Sequence, residues 1–219
     1  MHAAELFELS GRIAVVTGAS RGIGEAIAGA LADNGAEVVV VSRRLAACET
    51  VASASRAAGG KARAQACHIG ELAAIDVLYT WLNVNFRGYW FMCQRGAGLM
   101  RAGGGGSIVN IASVAGERPA RGLGVYSATK AAVINLTQAF AKECAPFNVR
   151  VTAILPDLVN TKLAAALQSQ SVRVAALRDI PLGRIAEPAD IAGAALCFAS
   201  AASSHATAAL LRVDGGINA

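Results

Sequence analysis

The stretch Arg12-Ile-Ala-Val-Val-Thr17-Gly18-Ala-Ser-Arg-Gly-Ile-Gly24 decides the fold. Its first half, RIAVVT, is a short apolar run rich in β-branched residues and closed by glycine, the pattern of a strand buried on both faces. From Ile23 to Asn34, Ile23, Ala26, Ile27, Ala30 and Leu31 recur at helical spacing, and Gly35 stands where a helix would end. A buried strand therefore turns directly into a helix. At such a junction glycine lets the backbone turn tightly and approach a pyrophosphate, while the helix N-terminus offers free N–H groups and the positive end of its dipole. A plain strand-to-helix turn also favours glycine, but in this context Thr17 to Gly24 reads as a dinucleotide loop.

The pattern repeats outward. Glu37 to Val41 (EVVVV) predicts a second buried strand, Leu45 to Ala58 an alanine-rich helix, and Ala62 to Cys67 a weak strand after Gly59-Gly60. Ser107 to Ala112, Val149 to Ile154 and Ala209 to Val213 predict further strands, and Ser127 to Cys144 and Ala189 to Ala202 predict helices. Alternation at this spacing predicts an α/β fold of three layers, a doubly wound parallel sheet with helices on both faces, in a single domain over 1–219. The glycines at 103–106 form a turn too short to separate domains. Between Cys67 and Ser107 the alternation breaks. A short helical start, Gly70 to Leu78, runs straight into a second helical stretch, Tyr79 to Arg101, where helix, strand and helix are expected. One strand with its helix, about 30 residues, is missing from the count.

Composition closes off other function classes. With 54% hydrophobic and 16% charged residues, the 219-residue chain is a packed globular protein and not a disordered one. Its net charge of +5 is scattered among acids and only 5% of its residues are aromatic, which argues against a nucleic-acid groove. No apolar run approaches the roughly 18 residues of a spanning helix, so no membrane partner is expected. The opening MHAAELFELSGR carries acids where a signal peptide has a basic and then an apolar stretch, which predicts a cytoplasmic location. Cys48, Cys67, Cys93, Cys144 and Cys197 are odd in number and lack a C-x-x-C spacing, so they read as small core residues in a reducing compartment. His2, His68 and His205 have no metal-ligand spacing, and no metal is expected.

The end of the second strand selects among nucleotides. An acid there would bond the adenosine ribose, whereas arginine accommodates a 2′-phosphate. This chain has Ser42-Arg43-Arg44, and with Arg21 in the glycine loop two guanidinium forks could clamp a dianionic phosphate; the bland alternative is solvated arginines at a helix start. Tyr126 and Lys130 lie four apart at the start of a predicted helix, on one face. A free tyrosine ionises near pH 10, so proton transfer near neutrality requires about 4 kcal/mol in favour of phenolate, which an adjacent ammonium supplies. Ser113, just beyond the carboxyl end of a predicted strand, sits at the edge where open α/β sheets bind ligands.

With these residues in place the sequence resembles the classical short-chain dehydrogenase/reductase family. The resemblance rests on Thr17 to Gly24, Asn83-Val-Asn85, Asn110-Ile-Ala-Ser113, Tyr126-x-x-x-Lys130, Thr161 after Pro156, and Val213-Asp-Gly-Gly216, in the right order over nearly the whole chain. Ser42-Arg43, Cys67-His68-Ile69-Gly70 and Asn85 look most like NADP(H)-dependent carbonyl reductases of the peroxisomal type and their bacterial relatives. The resemblance implies a Rossmann-type domain interconverting a small carbonyl compound and an alcohol by hydride transfer. It implies that Tyr126 is the general acid/base, that Ser113 bonds the substrate oxygen, that Lys130 holds the nicotinamide ribose and that Asn85 holds a relay water. Gly18, Ser20, Arg21, Gly22, Ile23, Gly24, Ser42, Arg43, Tyr126, Lys130, Val159 and Thr161 would bind the cofactor, NADP(H) in preference to NAD(H). It further implies a substrate lid within about 158–184 and a homo-oligomer, dimer or tetramer, paired through the helices that carry Asn85 and Ser127 to Cys144.

Three departures stand out. Asp157 follows Pro156 where the family usually has glycine, His68 stands where many members have aspartate, and the Asn-Asn-Ala-Gly loop that ends the family's fourth strand is nowhere in the chain. An active oxidoreductase, intact or abbreviated, and a non-catalytic nucleotide-binding or interaction protein therefore both stay open. The family's fourth strand lies between its first and fifth, so its loss leaves either direct pairing of Arg12 to Thr17 with Ser107 to Ala112, or an open gap. Arg21 and Arg43 predict tighter binding of NADPH than of NADH in nucleotide-fluorescence titrations, with Arg43→Ala weakening NADPH selectively; equal affinity for the two cofactors would sink this assignment.

Overall fold

The computed structural model describes residues 3–67, 83–119, 122–161 and 177–218. The chain divides into two compact units, one made of Met1–His68, Leu158–Ser204 and Gly215–Ile217, the other of Ile69–Asp157, His205–Asp214 and Asn218–Ala219.

The first unit opens with the short helix α1 (Ala3–Phe7) and holds a parallel sheet in the order β1 (Ile13–Thr17), β2 (Glu37–Ser42), β3 (Lys61–Ala66), with Val15 opposite Val39 and Val39 opposite Arg63. Parallel neighbours need crossovers, supplied by α2 (Gly22–Asp33) and α3 (Leu45–Ala57). The valine run of β2 is buried on both faces, Val38 and Val40 completely, each side chain contributing roughly 2 kcal/mol of transfer free energy. Helix α2 buries Ile27, Ala28, Leu31 and Ala32, and α3 buries Cys48, Val51 and Ala52. The expectation for β1 needs correction: Ile13 is 65% and Val15 56% exposed, and among the described residues β2 is the only strand paired with β1. A strand reads as doubly buried from its composition alone, but burial requires a neighbour to cover it.

The second unit carries the parallel sheet β4 (Gly106–Ile111), β5 (Val149–Pro156), β6 (Leu210–Val213). Helix α4 (Gly88–Ala102) precedes β4, and α5 (Gly124–Cys144) joins β4 to β5. Val149, Val151, Ala153 and Leu155 share one face of β5 and meet Leu136, Phe140, Ala141 and Val133 of α5 and Cys93 of α4. Here too the edge is open, since β5 is the only strand paired with β4 among the described residues. The expected doubly wound parallel sheet is thus observed as two three-stranded sheets. Of the helical stretch expected over Tyr79 to Arg101, Asn83–Arg87 form a π-helical turn and Gly88–Ala102 an α-helix, while residues 68–82, with the helix expected at Gly70 to Leu78, lie outside the described residues. Of the cysteines expected in the core, Cys48, Cys93 and Cys144 are buried and Cys67 is exposed.

Helix α6 (Pro188–Ala199) belongs to the first unit and packs along α2, burying Ile191, Ala192, Ala195 and Phe198. Its start is defined by a capping box in which Asp190 accepts the Glu187 amide at 2.7 Å, and the same carboxylate takes both guanidinium nitrogens of Arg184, at 2.7 and 2.8 Å. The Arg184 fork, then the Glu187 amide, lowers the Asp190 carboxyl from its ordinary 3.8 to about 2. A carboxyl with a folded-state value below its unfolded one stabilises fully above about pH 4 and loses that contribution as pH falls through about 2. Asp190→Ala is expected to cost about 1 kcal/mol at pH 7, as for a lost cap, with the difference from wild type shrinking toward pH 2 in denaturant titrations. A difference independent of pH would show that the carboxylate charge contributes nothing.

Candidate functional site

In the first unit the loop after β1 is shaped by three glycines, each for its own reason. Gly18 (φ +67°) and Gly22 (φ +63°) occupy the left-handed region, where other residues are strained. At Gly24 a Cβ would come within 2.7 Å of the Gly18 carbonyl oxygen and 2.9 Å of the Ala19 Cα, so α2 begins against the turn itself. Ala19 is fully buried and its N–H donates to the Val41 carbonyl at 3.2 Å, tying the loop to β2. Ser20 Oγ donates to Ser42 Oγ at 3.0 Å, a second tie at the carboxyl end of that strand. Arg21 is the extended residue before α2 and provides no side-chain cap, so the first amides of α2 are not covered by it. Arg21 and Arg43 are both exposed and have no ion-pair partner among the described residues, while Arg44 begins α3.

Thr161 also reaches this loop: its Cγ2 lies 3.5 Å from where a Cβ at Gly22 would stand. Val159 is buried and forms an isolated parallel bridge with Ala186, made through the Asn160 amide and the Leu158 carbonyl, which leaves its own N–H and C=O out of that bridge. Glycines that admit a close approach, a helix start that Arg21 does not cap and two guanidinium groups without an ion pair among the described residues fit the phosphates of a dinucleotide.

The second unit gathers the four residues with acid–base and orienting chemistry. Ser113 follows β4 and begins a 3₁₀ turn, Val114–Gly116, with its Oγ accepting from the Ala115 amide at 3.1 Å; its hydroxyl proton is thereby left to donate elsewhere. That turn lies directly on α5, since a Cβ at Gly116 would come within 2.7 Å of the Lys130 carbonyl carbon and 2.8 Å of the Ala131 nitrogen. Lys130 is buried, 8% exposed, and its Nζ donates to the Ile111 carbonyl at 2.9 Å. Tyr126, one turn earlier on α5 and half-buried, has its ring centroid 5.8 Å from that Nζ. Asn85, in the π-helical turn, donates through Nδ2 to Thr129 Oγ1 at 3.4 Å, and Thr129 donates to the Tyr126 carbonyl at 2.7 Å. Asn85, Tyr126 and Lys130 are thus linked through one helix, with the turn of Ser113 against it.

Several contributors went unread in the sequence. Gly116 is one, a glycine three residues beyond Ser113 whose role appears only when α5 lies on it. Asn110, read only as part of a motif, is buried and donates to Thr137 Oγ1 at 2.9 Å, with Cys93 Sγ at 3.6 Å, so it pins β4 between α4 and α5. Burial pushes the Cys93 thiol upward, which keeps it neutral. Tyr89 is another, its hydroxyl 2.8 Å from the Ile111 carbonyl that also receives Lys130. Asp157, the departure after Pro156, is half-buried and its amide donates to the Val213 carbonyl at 3.4 Å. His68 and residues 162–176 of the expected lid lie outside the described residues. Among the described residues there is no cluster that could hold a metal and no helix long and apolar enough to cross a membrane.

Two family models match, one described as short chain dehydrogenase over residues 12–83 and one as enoyl-(acyl carrier protein) reductase over residues 71–218. The chain belongs to the short-chain dehydrogenase/reductase family. Its members are oxidoreductases that act on CH–OH and C=O groups with a nicotinamide cofactor. Carbonyl reductase family member 4 of Danio rerio is 34% identical over 242 positions, covering 94% of this chain and 98% of that protein. A gluconate 5-dehydrogenase of Burkholderia cenocepacia, solved with NADP and tartrate, is similar at a TM-score of 0.92 and 29% identity, over 99% of this chain and 98% of that one. A 7α-hydroxysteroid dehydrogenase solved with NADH and a 7-oxo bile acid is similar at 0.92 and 28%, with the same coverage. The two family matches meet at residues 71–83, within the interval where the strand count breaks. The 242 aligned positions exceed the 219 residues of the chain by 23, so at least that many positions of the fish reductase alignment have no residue here.

Proposed function

We propose that this protein is an NADP(H)-dependent oxidoreductase that interconverts a small carbonyl compound and an alcohol. The observation that carries the proposal is the buried ammonium of Lys130 one helical turn from half-buried Tyr126, on a helix that abuts the turn of Ser113. In the reducing direction the Tyr126 phenol gives its proton to the carbonyl oxygen, while the Ser113 hydroxyl donates a hydrogen bond to the same oxygen and offsets its developing charge. Lys130 keeps its positive charge beside the phenolate left behind, and Asn85 holds the water through which Tyr126 recovers a proton. When bound, the nicotinamide supplies the hydride to the carbonyl carbon, or accepts it in the reverse direction.

The phosphate end of the cofactor is assigned to Gly18, Ser20, Arg21, Gly22, Ile23 and Gly24, with Ser42, Val159 and Thr161 around it. Arg21 and Arg43 favour NADP(H), because both are exposed, with no ion pair among the described residues, at the positions a 2′-phosphate would meet. Residues 158–184 are proposed as the substrate lid, and the cytoplasm as the location. A homo-oligomer is supported by exposed Trp90, Phe91 and Met92 on α4. A second reading, a nucleotide-binding protein with impaired catalysis, is favoured by the strand count of the sequence, which falls one unit short between Cys67 and Ser107, because proton transfer tolerates displacements of well under about 1 Å.

NADPH oxidation with a panel of activated ketones separates the two, using protein whose intact mass is confirmed as 22.2 kDa. Turnover above about 1 s⁻¹, falling by about 10² or more in Tyr126→Phe with NADPH affinity unchanged, is the expected result for the enzyme. NADPH binding without turnover supports the second reading, and an ordinary kcat in Tyr126→Phe refutes the role given to that residue.

A further inference from the structure

The surroundings of Lys130 contain a group that the catalytic reading does not use. Lys130 is 8% exposed, and burying an ammonium is costly unless its N–H donors meet oxygen or π-electron density. One donor meets the Ile111 carbonyl at 2.9 Å. The Tyr89 hydroxyl donates to the same carbonyl at 2.8 Å, so both lone pairs of that oxygen are engaged and the phenol proton is committed. With its proton committed, the Tyr89 oxygen faces Lys130 Nζ as an acceptor at 3.5 Å. The Tyr89 ring adds to this, its centroid 5.2 Å from Nζ and within cation–π reach, closer than the 5.8 Å to the Tyr126 ring.

We propose that Tyr89 is a positioning residue for Lys130: its hydroxyl and ring, anchored to the Ile111 carbonyl, hold the ammonium where it serves Tyr126 and the nicotinamide ribose. The proposal rests on the oxidoreductase reading for its consequence in catalysis, but not for the geometry. A lysine stem has four rotatable bonds, and one hydrogen bond to a carbonyl leaves Nζ free to swing about it; a second oxygen and a ring face reduce that freedom. Tyr89 also sits in the first turn of α4, directly after the π-helical turn that carries Asn85. Its bond to the end of β4 therefore anchors the segment that presents Asn85 as well as the ammonium.

The test uses full-length protein labelled with ¹³C and ¹⁵N at its four lysines, Lys61, Lys130, Lys142 and Lys162. The Lys130 signals are assigned by their loss in Lys130→Arg. In wild type the Nζ–H cross-peak is expected to be observable, because its protons are held, and the ε-methylene to be displaced by the ring. Tyr89→Leu is expected to move both toward the exposed lysines, while Tyr89→Phe moves the Nζ resonance and keeps the ring displacement. On the functional side, Tyr89→Leu is expected to weaken NADPH binding and lower kcat by about tenfold each with ketone KM nearly unchanged, and Tyr89→Phe by about threefold. Lys130 signals unmoved in Tyr89→Phe, or in a folded Tyr89→Leu, overturn the proposal, and because the Phe variant retains the packed ring it decides the matter if the Leu variant does not fold. A wild type that neither binds NADPH nor reduces ketones would sink the oxidoreductase reading, while the lysine signals would still decide the role of Tyr89.

Discussion

A buried ammonium has to be met by oxygen from its surroundings, and in this protein the oxygen is the carbonyl of Ile111, the last residue of β4. Much of the second unit follows from that demand. For Lys130 to reach the end of β4, α5 must lie close along the 3₁₀ turn after Ser113, and the approach is so tight that residue 116 has no room for a side chain. Asn110, one residue before Ile111, binds Thr137 two turns beyond Lys130, so the strand and the helix are joined on both sides of the contact. The odd-numbered residues of β5 then fill the space beneath α5 with Val149, Val151, Ala153 and Leu155. Burial of these side chains supplies the free energy, and the hydrogen bonds set which register is adopted, since an unpaired buried polar group costs more than a paired one returns.

The first unit answers a different demand, for a backbone that leaves donors unused. Gly18 and Gly22 take conformations closed to other residues, and Gly24 lets the first turn of α2 press on the loop. The Ala19 amide and the Ser20 hydroxyl spend themselves on β2, so the loop is held from one side while the start of α2 stays uncapped by a side chain. A glycine loop held against a strand at a helix N-terminus is suited to an anion of fixed shape. Arg21, in this loop, and Arg43, just beyond β2, are both exposed.

Among the described residues β1 and β4 are edge strands. Each has one strand partner among the described residues, and on β1 two large apolar side chains, Ile13 and Val15, are left largely exposed. Edge strands of globular proteins are ordinarily short, charged or covered, because an open apolar edge invites pairing with another chain. The glycine loop is held by β2, and Lys130 by the last carbonyl of β4.

What could be read from the sequence alone is what local rules determine. Continuous valines declare β2 a buried strand, the three- and four-residue recurrence declares α2 and α5, and the glycines of residues 18–24 declare a tight turn, because each signal is carried by residues within a few positions of one another. The pairing of Tyr126 with Lys130 is legible for the same reason, and the broken alternation between Cys67 and Ser107 marks where the strand count falls short. Only the tertiary structure decides contacts between residues distant along the chain. Thr161 beside Gly22, Gly116 beneath Lys130, and Tyr89 sharing the Ile111 carbonyl with a lysine 41 positions away follow from how helices settle on strands. The exposed face of β1 is the plainest case, for the composition of a strand states only that it could be buried, and burial is a property of the neighbour that covers it.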